Sequence, residues 1–231
     1  MNQTTTTKQF QVNGYTIKAG AYLNGAYLAG SNLTLADLNG AYLNEADLYM
    51  ANLAGVNLHM ADLHQADLFE ADLHQADLSE ADLSFAILEG ANLYMADLEG
   101  ANLEGADLER ADLERACLRR ANLYGANLYR AKVYGADLEG ACLVGVDLRE
   151  SRLKGVSLKG ANLIGADLSG MALEGVSFYG ADLEGANLQG ANVQGADFRE
   201  ADLKDTNLVE AIADSETVWP DEFDDEMTIP A

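Results

Sequence analysis

Apolar residues recur along this chain with a period of five. A five-residue phrase repeats 38 times from Ala21 to Glu210, without insertion or deletion. Its first position is Ala in 30 copies, its third is Leu in 34, and its second is Asp or Asn in 27. Because a fixed period of this kind is typical of stacked repeat architectures, it decides the fold before any other feature.

Neither regular secondary-structure element keeps this pattern on one side. An α-helix turns about 100° per residue, so leucines five apart would spread around its surface instead of forming one stripe. A flat strand alternates with a period of two, so each repeat would move its leucine to the opposite face. The pattern therefore predicts one short extended piece and one corner per repeat, in a chain that coils and stacks on itself.

The last position of the phrase marks the corner. Gly occupies it in 20 of the 38 repeats, as expected for a turn that needs a positive φ angle at its third residue. Asp or Asn at the second position favours the same corner, because these short side chains hydrogen-bond to nearby backbone groups. Ala and Leu are therefore predicted to point inward.

The tandem phrase A(D/N)LxG resembles that of the pentapeptide-repeat proteins. The resemblance covers residues 21–210 and implies an all-β fold, a right-handed, four-sided parallel β-helix. A period of five alone would also allow three sides, but Phe178 and Phe198 lie 20 apart and would stack in one column of a four-sided coil. Nine to ten coils would form a rod about 45 Å long. The predicted structural core includes Leu63, Leu68, Leu73, Leu78, Leu123, Phe178 and Phe198.

Residues 1–20 are predicted to form the N-terminal cap, because a terminal coil exposes unpaired backbone and apolar interior. An Asn-Gly pair between alternating apolar residues is a strong hairpin signal. It would place Val12 opposite Tyr15 and Phe10 opposite Ile17, as a small apolar lid.

Residues 211–231 are predicted to form a C-terminal cap and an acidic tail. Trp219 and Phe223 are the large aromatic residues of this segment, and they would either cap the last coil or join two rods end to end. The protein is thus expected to be a monomer or an end-to-end homodimer. The TVWPDEF ending resembles that of cyanobacterial members of the family. The acidic run 221–226 is expected to extend into solvent.

Charge is unevenly distributed along a chain with a formal net charge of −24. Residues 21–109, here called the acidic segment, contain 16 acidic residues and no Lys or Arg. Residues 110–160, the basic segment, contain 10 basic and 6 acidic residues, a net charge of +4. The predicted acidic interaction surface includes Asp62, Asp67, Glu70, Asp72, Asp77, Glu80 and Asp82.

The N-terminal residues, the hydropathy and the two cysteines together predict the cellular compartment. The N-terminal residues are polar, and no apolar stretch is long enough to span a membrane, so we expect neither a signal peptide nor a membrane partner. Cys117 and Cys142 are 25 residues apart and fall on different sides of the coil, so we expect two free thiols and a cytoplasmic, reducing environment.

No catalytic, cofactor-binding or metal-binding residue is predicted. Acid pairs such as Asp62 and Asp82 are unavoidable among 38 acidic residues, and nothing in the pattern sets one in a pocket. His59, His64 and His74 would fall on three different sides and could not converge on one metal ion. Direct nucleic-acid binding is disfavoured by the sign of the charge, although the basic segment could touch an acidic partner.

Two functional hypotheses follow. The first is a non-catalytic scaffold whose rigid rod presents an acidic surface to an unknown protein partner. The second comes from the resemblance, because some members of the family bind type II topoisomerases; DNA gyrase is the implied partner and the rod would act as a DNA mimic. Two departures weigh against mimicry, namely the basic segment and the lack of insertion loops. Stacked aromatic columns, Tyr22 with Tyr42 and Tyr49 with Phe69, would stabilise the coils or serve as contacts.

Overall fold

The computed structural model describes residues 9–221 and 223, and it shows short extended pieces stacked in parallel. Residues at the second position of the phrase form parallel bridges to residues 20 positions later, from the Tyr22–Tyr42 bridge to the Asn192–Ile212 bridge. Twenty residues therefore make one coil of four sides. The fold is a right-handed, four-sided parallel β-helix, which confirms the prediction from the sequence.

The four sides are numbered from Ala21. Side 1 holds the repeat that begins at residue 21 and those that follow it at intervals of 20, and sides 2, 3 and 4 begin at residues 26, 31 and 36. A residue therefore lies directly over the residue 20 positions away in the neighbouring coil. Each column of such residues runs along the rod.

Ala and Leu form the interior of the rod. Leu63, Leu123 and Phe178 are fully buried, as are nearly all residues at the third position. Phe178 and Phe198 stack in one column, with ring centroids 4.8 Å apart and planes 1° from parallel. Each buried side chain of this size contributes about 1.5–3 kcal/mol before the cost of ordering the chain. The remaining predicted core residues, Leu68, Leu73 and Leu78, are also fully buried.

Backbone hydrogen bonds join each coil to the next. The Leu63 amide donates to the carbonyl oxygen of Asp82 at 2.7 Å, and the Asp62 amide donates to that of Ala41 at 2.9 Å. The same two bonds recur along most of the rod, so the extended pieces satisfy their backbone groups between coils.

Each corner is closed by local hydrogen bonds. The Ala66 amide donates to the Leu63 carbonyl at 2.9 Å, and the His64 amide donates to Oδ1 of Asp62 at 3.1 Å. Every fifth position from Gly25 to Glu210 has a positive φ, including the 18 positions that are not Gly. Gly is therefore favoured at the corner but not required.

The corners give a prediction on stability, because non-glycine residues in the left-handed region cost about 1–2 kcal/mol. Replacing Gln75 (φ 57°) by Gly is expected to stabilise the protein by about 0.5–1 kcal/mol. The reverse change, Gly170→Gln, should destabilise the protein by a similar amount. A Cβ at Gly170 (φ 64°) would meet no atom within 4 Å, so the cost would come from backbone strain and not from a steric clash. Denaturant unfolding measures both, and equal stability of the two variants would contradict the account.

The N-terminal hairpin covers the first coil. Strand β1 (Phe10–Val12) pairs antiparallel with strand β2 (Tyr15–Ile17), with Phe10 opposite Ile17 and Val12 opposite Tyr15. Ile17 is fully buried, and the other three pack against the core as partly buried residues. The hairpin thus places an apolar surface on the open end of the rod.

The parallel ladder continues past the last repeat to Val218, which bridges to Asp197. This spacing is 21 rather than 20, because residues 214–217 form a tight loop. Oδ1 of Asp214 accepts hydrogen bonds from the amides of Gly195, Glu216 and Thr217 at 3.0–3.1 Å. Most of the acidic run 221–226 lies outside the described residues.

Trp219 and Phe223 extend the internal aromatic column over the last coil. The Trp219 ring stacks on Phe198 at 4.9 Å, and Phe223 stacks on Trp219 at 4.5 Å. Both residues are partly buried against the core in a single chain. The end-to-end homodimer stays a prediction.

The ladder is interrupted on sides 2 and 3 between two neighbouring coils. Within the described residues, no bridge joins Asp147 to Asp167 or Arg152 to Ala172. Residues larger than Ala occupy the first position of several repeats in these coils. They are Val146, Ser151, Val156, Met171 and Val176.

Candidate protein-interaction surface

The predicted acidic residues surround the rod rather than lie on one side. Among them, Asp62 and Asp82 are bridge partners and occupy one column of side 1. The other second-position residues, Asp67, Asp72 and Asp77, fall on sides 2, 3 and 4. The acidic segment is therefore negative on all of its sides.

The aspartates of this surface also hold the corners together. Oδ1 of Asp67 accepts a hydrogen bond from the Phe69 amide at 3.0 Å. Oδ1 of Asp72 accepts from the His74 amide at 3.3 Å and from Nδ2 of Asn92 at 2.8 Å. Each such carboxylate has one oxygen committed to the fold.

Three glutamates of the acidic segment have no comparable structural task. Glu70 and Glu80 are exposed corner residues, and Glu104 is half-buried beside a corner. None of the three forms an ion pair with a described residue. They are the carboxylates that are free to meet a partner.

Exposed aromatic residues accompany the acidic surface. Tyr22 and Tyr42 stack with ring centroids 4.9 Å apart, and Tyr49 and Phe69 stack at 5.5 Å, in the columns that the sequence predicts. Tyr22 remains 81% exposed and Tyr27 74% exposed. Aromatic side chains with this exposure are enriched in protein contacts.

The three histidines do not converge. Nδ1 of His59 lies 2.9 Å from both oxygens of Ser79, and Nδ1 of His64 lies 2.9 Å from Oγ of Ser84. His74 contacts Oδ1 of its own repeat's aspartate at 2.8 Å. Each Nδ1 atom thus has a local hydrogen-bond partner in its own region of the rod.

The structure brings together one group of potential metal ligands that we did not predict from the sequence. Asp97, Glu99 and Cys117 have ligand atoms within 4.8 Å of one another, because residues 97 and 117 are bridge partners on side 4. Burial raises the pKa of the Cys117 thiol, and the nearby charge of Asp97 adds to the shift. Glu99 is also engaged by Arg120. We therefore assign no metal to this group. The spacing of 20 was the signal that could have found it.

Most cations of the basic segment are paired. Arg119 contacts Glu139 of the next coil at 3.3 Å. Arg149 instead binds Asp147 of its own repeat at 2.7 Å, and this hydrogen bond lowers the pKa of Asp147. The pairs are exposed, so each contributes at most about 1 kcal/mol to stability.

Cys117 and Cys142 are free and half-buried. Within the described part of the chain, no helix could cross a membrane. An open crevice lies at the C-terminal end of the rod, between Tyr179, Lys204 and Phe223.

Comparisons with known proteins agree with the architecture. The family description Pentapeptide repeats matches the chain in eight copies, over residues 21–59, 31–68, 66–105, 106–143, 141–178 and 177–212. A comparison with curated protein sequences gives no significant match.

Solved structures of similar proteins share the repeat. HetL from Nostoc sp. strain PCC 7120, a pentapeptide repeat protein involved in heterocyst differentiation regulation, is 35% identical over 87% of this chain and 86% of its own, with a TM-score of 0.37. Full-length QnrB1, a plasmid-mediated fluoroquinolone resistance protein, is 15% identical over 83% of this chain and 87% of its own, with a TM-score of 0.61, and shows the fold alone. The chain belongs to the pentapeptide-repeat family.

Proposed function

We propose that this protein is a non-catalytic scaffold that binds a protein partner through the outward side chains of its acidic segment. The observation that carries the proposal is the presence of 16 carboxylates and no Lys or Arg over residues 21–109. Core and corner roles account for Ala, Leu, Gly and most aspartates. They do not account for unpaired glutamates such as Glu70, Glu80 and Glu104.

A basic protein surface is the partner that this segment fits best. A uniformly negative rod attracts such a surface over about a Debye length and raises the rate of encounter. The exposed Tyr22–Tyr42 and Tyr49–Phe69 stacks supply apolar contact area on the same segment. We place the scaffold in the cytoplasm, on the basis of the two free thiols.

The proposal is tested by a matched pair of triple variants used as bait in a lysate of the source cell. Glu70→Gln, Glu80→Gln and Glu104→Gln together remove three charges from the acidic segment without touching a corner hydrogen bond. The proteins retained by wild-type bait are expected to fall about tenfold, since each exposed charge contact is worth up to about 1 kcal/mol. Quantitative mass spectrometry measures the retention.

The control removes three charges from exposed carboxylates beyond the basic segment, through Asp205→Asn, Glu210→Gln and Glu216→Gln. It should retain the same proteins as the wild type. Equal loss from both variants would show that only net charge matters, and no loss from either would contradict a role for the acidic segment.

A DNA mimic that binds gyrase is the second candidate, and charge density favours it. The acidic segment spans about 4.5 coils, or roughly 21 Å, at the usual strand spacing. Its 16 negative charges thus occur about once per 1.3 Å, close to the one per about 1.7 Å of duplex DNA. The DNA-like charge density ends where the basic segment begins, after a length equal to roughly six base pairs of duplex.

Gyrase supercoiling at two salt concentrations separates the two candidates. A mimic should inhibit supercoiling, lose potency steeply as salt rises, and lose it also in the triple variant of the acidic segment. Supercoiling that is unaffected by the folded protein would remove gyrase as the partner and leave the scaffold proposal standing.

A further inference from the structure

We infer that side 3 of the basic segment is a second binding surface, which accepts a short acidic segment of a protein partner. It consists of Arg115, Lys132, Tyr134, Arg152 and Lys154 and is called the basic patch. This surface is separate from the acidic segment, and its partner need not be the same protein.

Three of the four cations of the basic patch differ from the others in lacking partners. No carboxylate among the described residues lies within 4.0 Å of Arg115, Arg152 or Lys154. Elsewhere in the basic segment cations are paired, or stacked on a ring as Lys159 is on Tyr179 at 5.4 Å. The three unpaired cations thus lie on one side of the rod, within three successive coils.

These residues occupy positions where the fold favours others. Lys132 and Arg152 are bridge partners at the second position, where Asp or Asn would accept a hydrogen bond from the corner amide. Two like charges directly opposite each other are also destabilising. Arg152 faces Ala172 across the interrupted ladder, so no acid of the next coil offsets it. Side chains kept against local structural preference are expected at functional sites.

The patch is open and shaped for an extended chain. Arg115 lies against the Gly135 corner, and the ring of Tyr134 lies over the Gly155 corner. Tyr134 is 46% exposed. Glycine corners leave no side chain to block the approach of a peptide, and the tyrosine offers it a flat apolar surface.

Three acidic residues lie around the basic patch. Asp112 pairs with Lys132 at 2.9 Å, and Glu114 lies in the column below Tyr134. Glu174, above Lys154 in its column, is instead engaged by Nδ2 of Asn192 at 2.7 Å.

The patch extends across only three coils, with about 10 Å between the first and the third. A long polyanion such as nucleic acid would also meet the acidic segment and be repelled, whereas a short acidic peptide crossing the rod would not.

The test is a fluorescence-anisotropy titration of the full-length protein with a labelled oligo-glutamate peptide at about 0.1 M salt, where charges beyond roughly 10 Å are screened. Wild-type protein is expected to bind saturably. Arg152→Gln with Lys154→Gln should weaken binding roughly tenfold. The control, Arg119→Gln with Arg199→Gln, removes the same charge from carboxylate-paired arginines on side 4 and should change binding by less than about twofold.

Three outcomes would overturn the inference: no binding of oligo-glutamate by the wild type, equal weakening by both double variants, or tighter binding of a labelled oligothymidylate that is lost in the patch variant. Far-UV circular dichroism confirms that each variant is folded. Because the acidic segment is unchanged in these variants, failure here would leave the scaffold proposal untouched.

Discussion

Replacing Leu123 by Lys is expected to unfold the middle of the rod. Leu123 is fully buried, and its amide donates to the Cys142 carbonyl at 2.9 Å, so the side chain has only the interior to enter. Truncating such a leucine to alanine costs about 2–5 kcal/mol, and burying an unpaired ammonium adds to that loss. We expect a loss of at least about 5 kcal/mol, because coils are stabilised by their neighbours.

Far-UV circular dichroism with thermal melting measures this loss. The matched control is Glu104→Gln, a change outside the core that should leave the melting temperature within about a degree or two of the wild type. An unchanged melt of the Leu123 variant would show that the third position of the phrase does not point inward.

Replacing Trp219 by Ala is expected to open the C-terminal end. Trp219 lies between Phe198 and Phe223 in one stacked column, at 4.9 and 4.5 Å. Loss of its buried area and of two aromatic contacts should cost about 3 kcal/mol. Since solenoid coils unfold from their ends, amides near Phe198, which donates to the Val218 carbonyl at 2.7 Å, should exchange hydrogen faster.

Two controls separate capping from stacking alone. Trp219→Phe keeps a ring in the column and should recover most of the protection. Tyr22→Ala removes an equally stacked but exposed ring and should cost less than about 1 kcal/mol. Unchanged exchange in the Trp219→Ala variant would mean that the last coil does not need this cap.

The interior and the corners could be predicted from the sequence because one phrase specifies both. All of the leucines had to point into the interior. The spacing of 20 between Phe178 and Phe198 matches the observed coil. The hairpin register followed from the Asn-Gly turn, which fixes Val12 opposite Tyr15. In each case a local rule of backbone geometry was sufficient.

The remaining features depend on contacts between coils, which a period alone does not specify. Asp214 lengthens the last side by one residue because its carboxylate binds three amides. Arg149 pairs with Asp147 of its own repeat and not with an acid of a neighbouring coil, and this depends on the side-chain conformation. The sequence predicted that the acidic segment is negatively charged. It did not predict that the aspartates accept hydrogen bonds at the corners while glutamates such as Glu70 and Glu80 stay unpaired.

Zero-length carbodiimide crosslinking tests the binding role of the acidic segment most directly, because it joins carboxylates to lysines that touch them. The protein is crosslinked in a lysate of its source cell, and mass spectrometry maps which of its carboxylates join lysines of another protein. Our account predicts that the crosslinks concentrate between residues 21 and 109, at glutamates such as Glu70, Glu80 and Glu104. Crosslinks confined to residues beyond 160, or spread evenly along the chain, would contradict it.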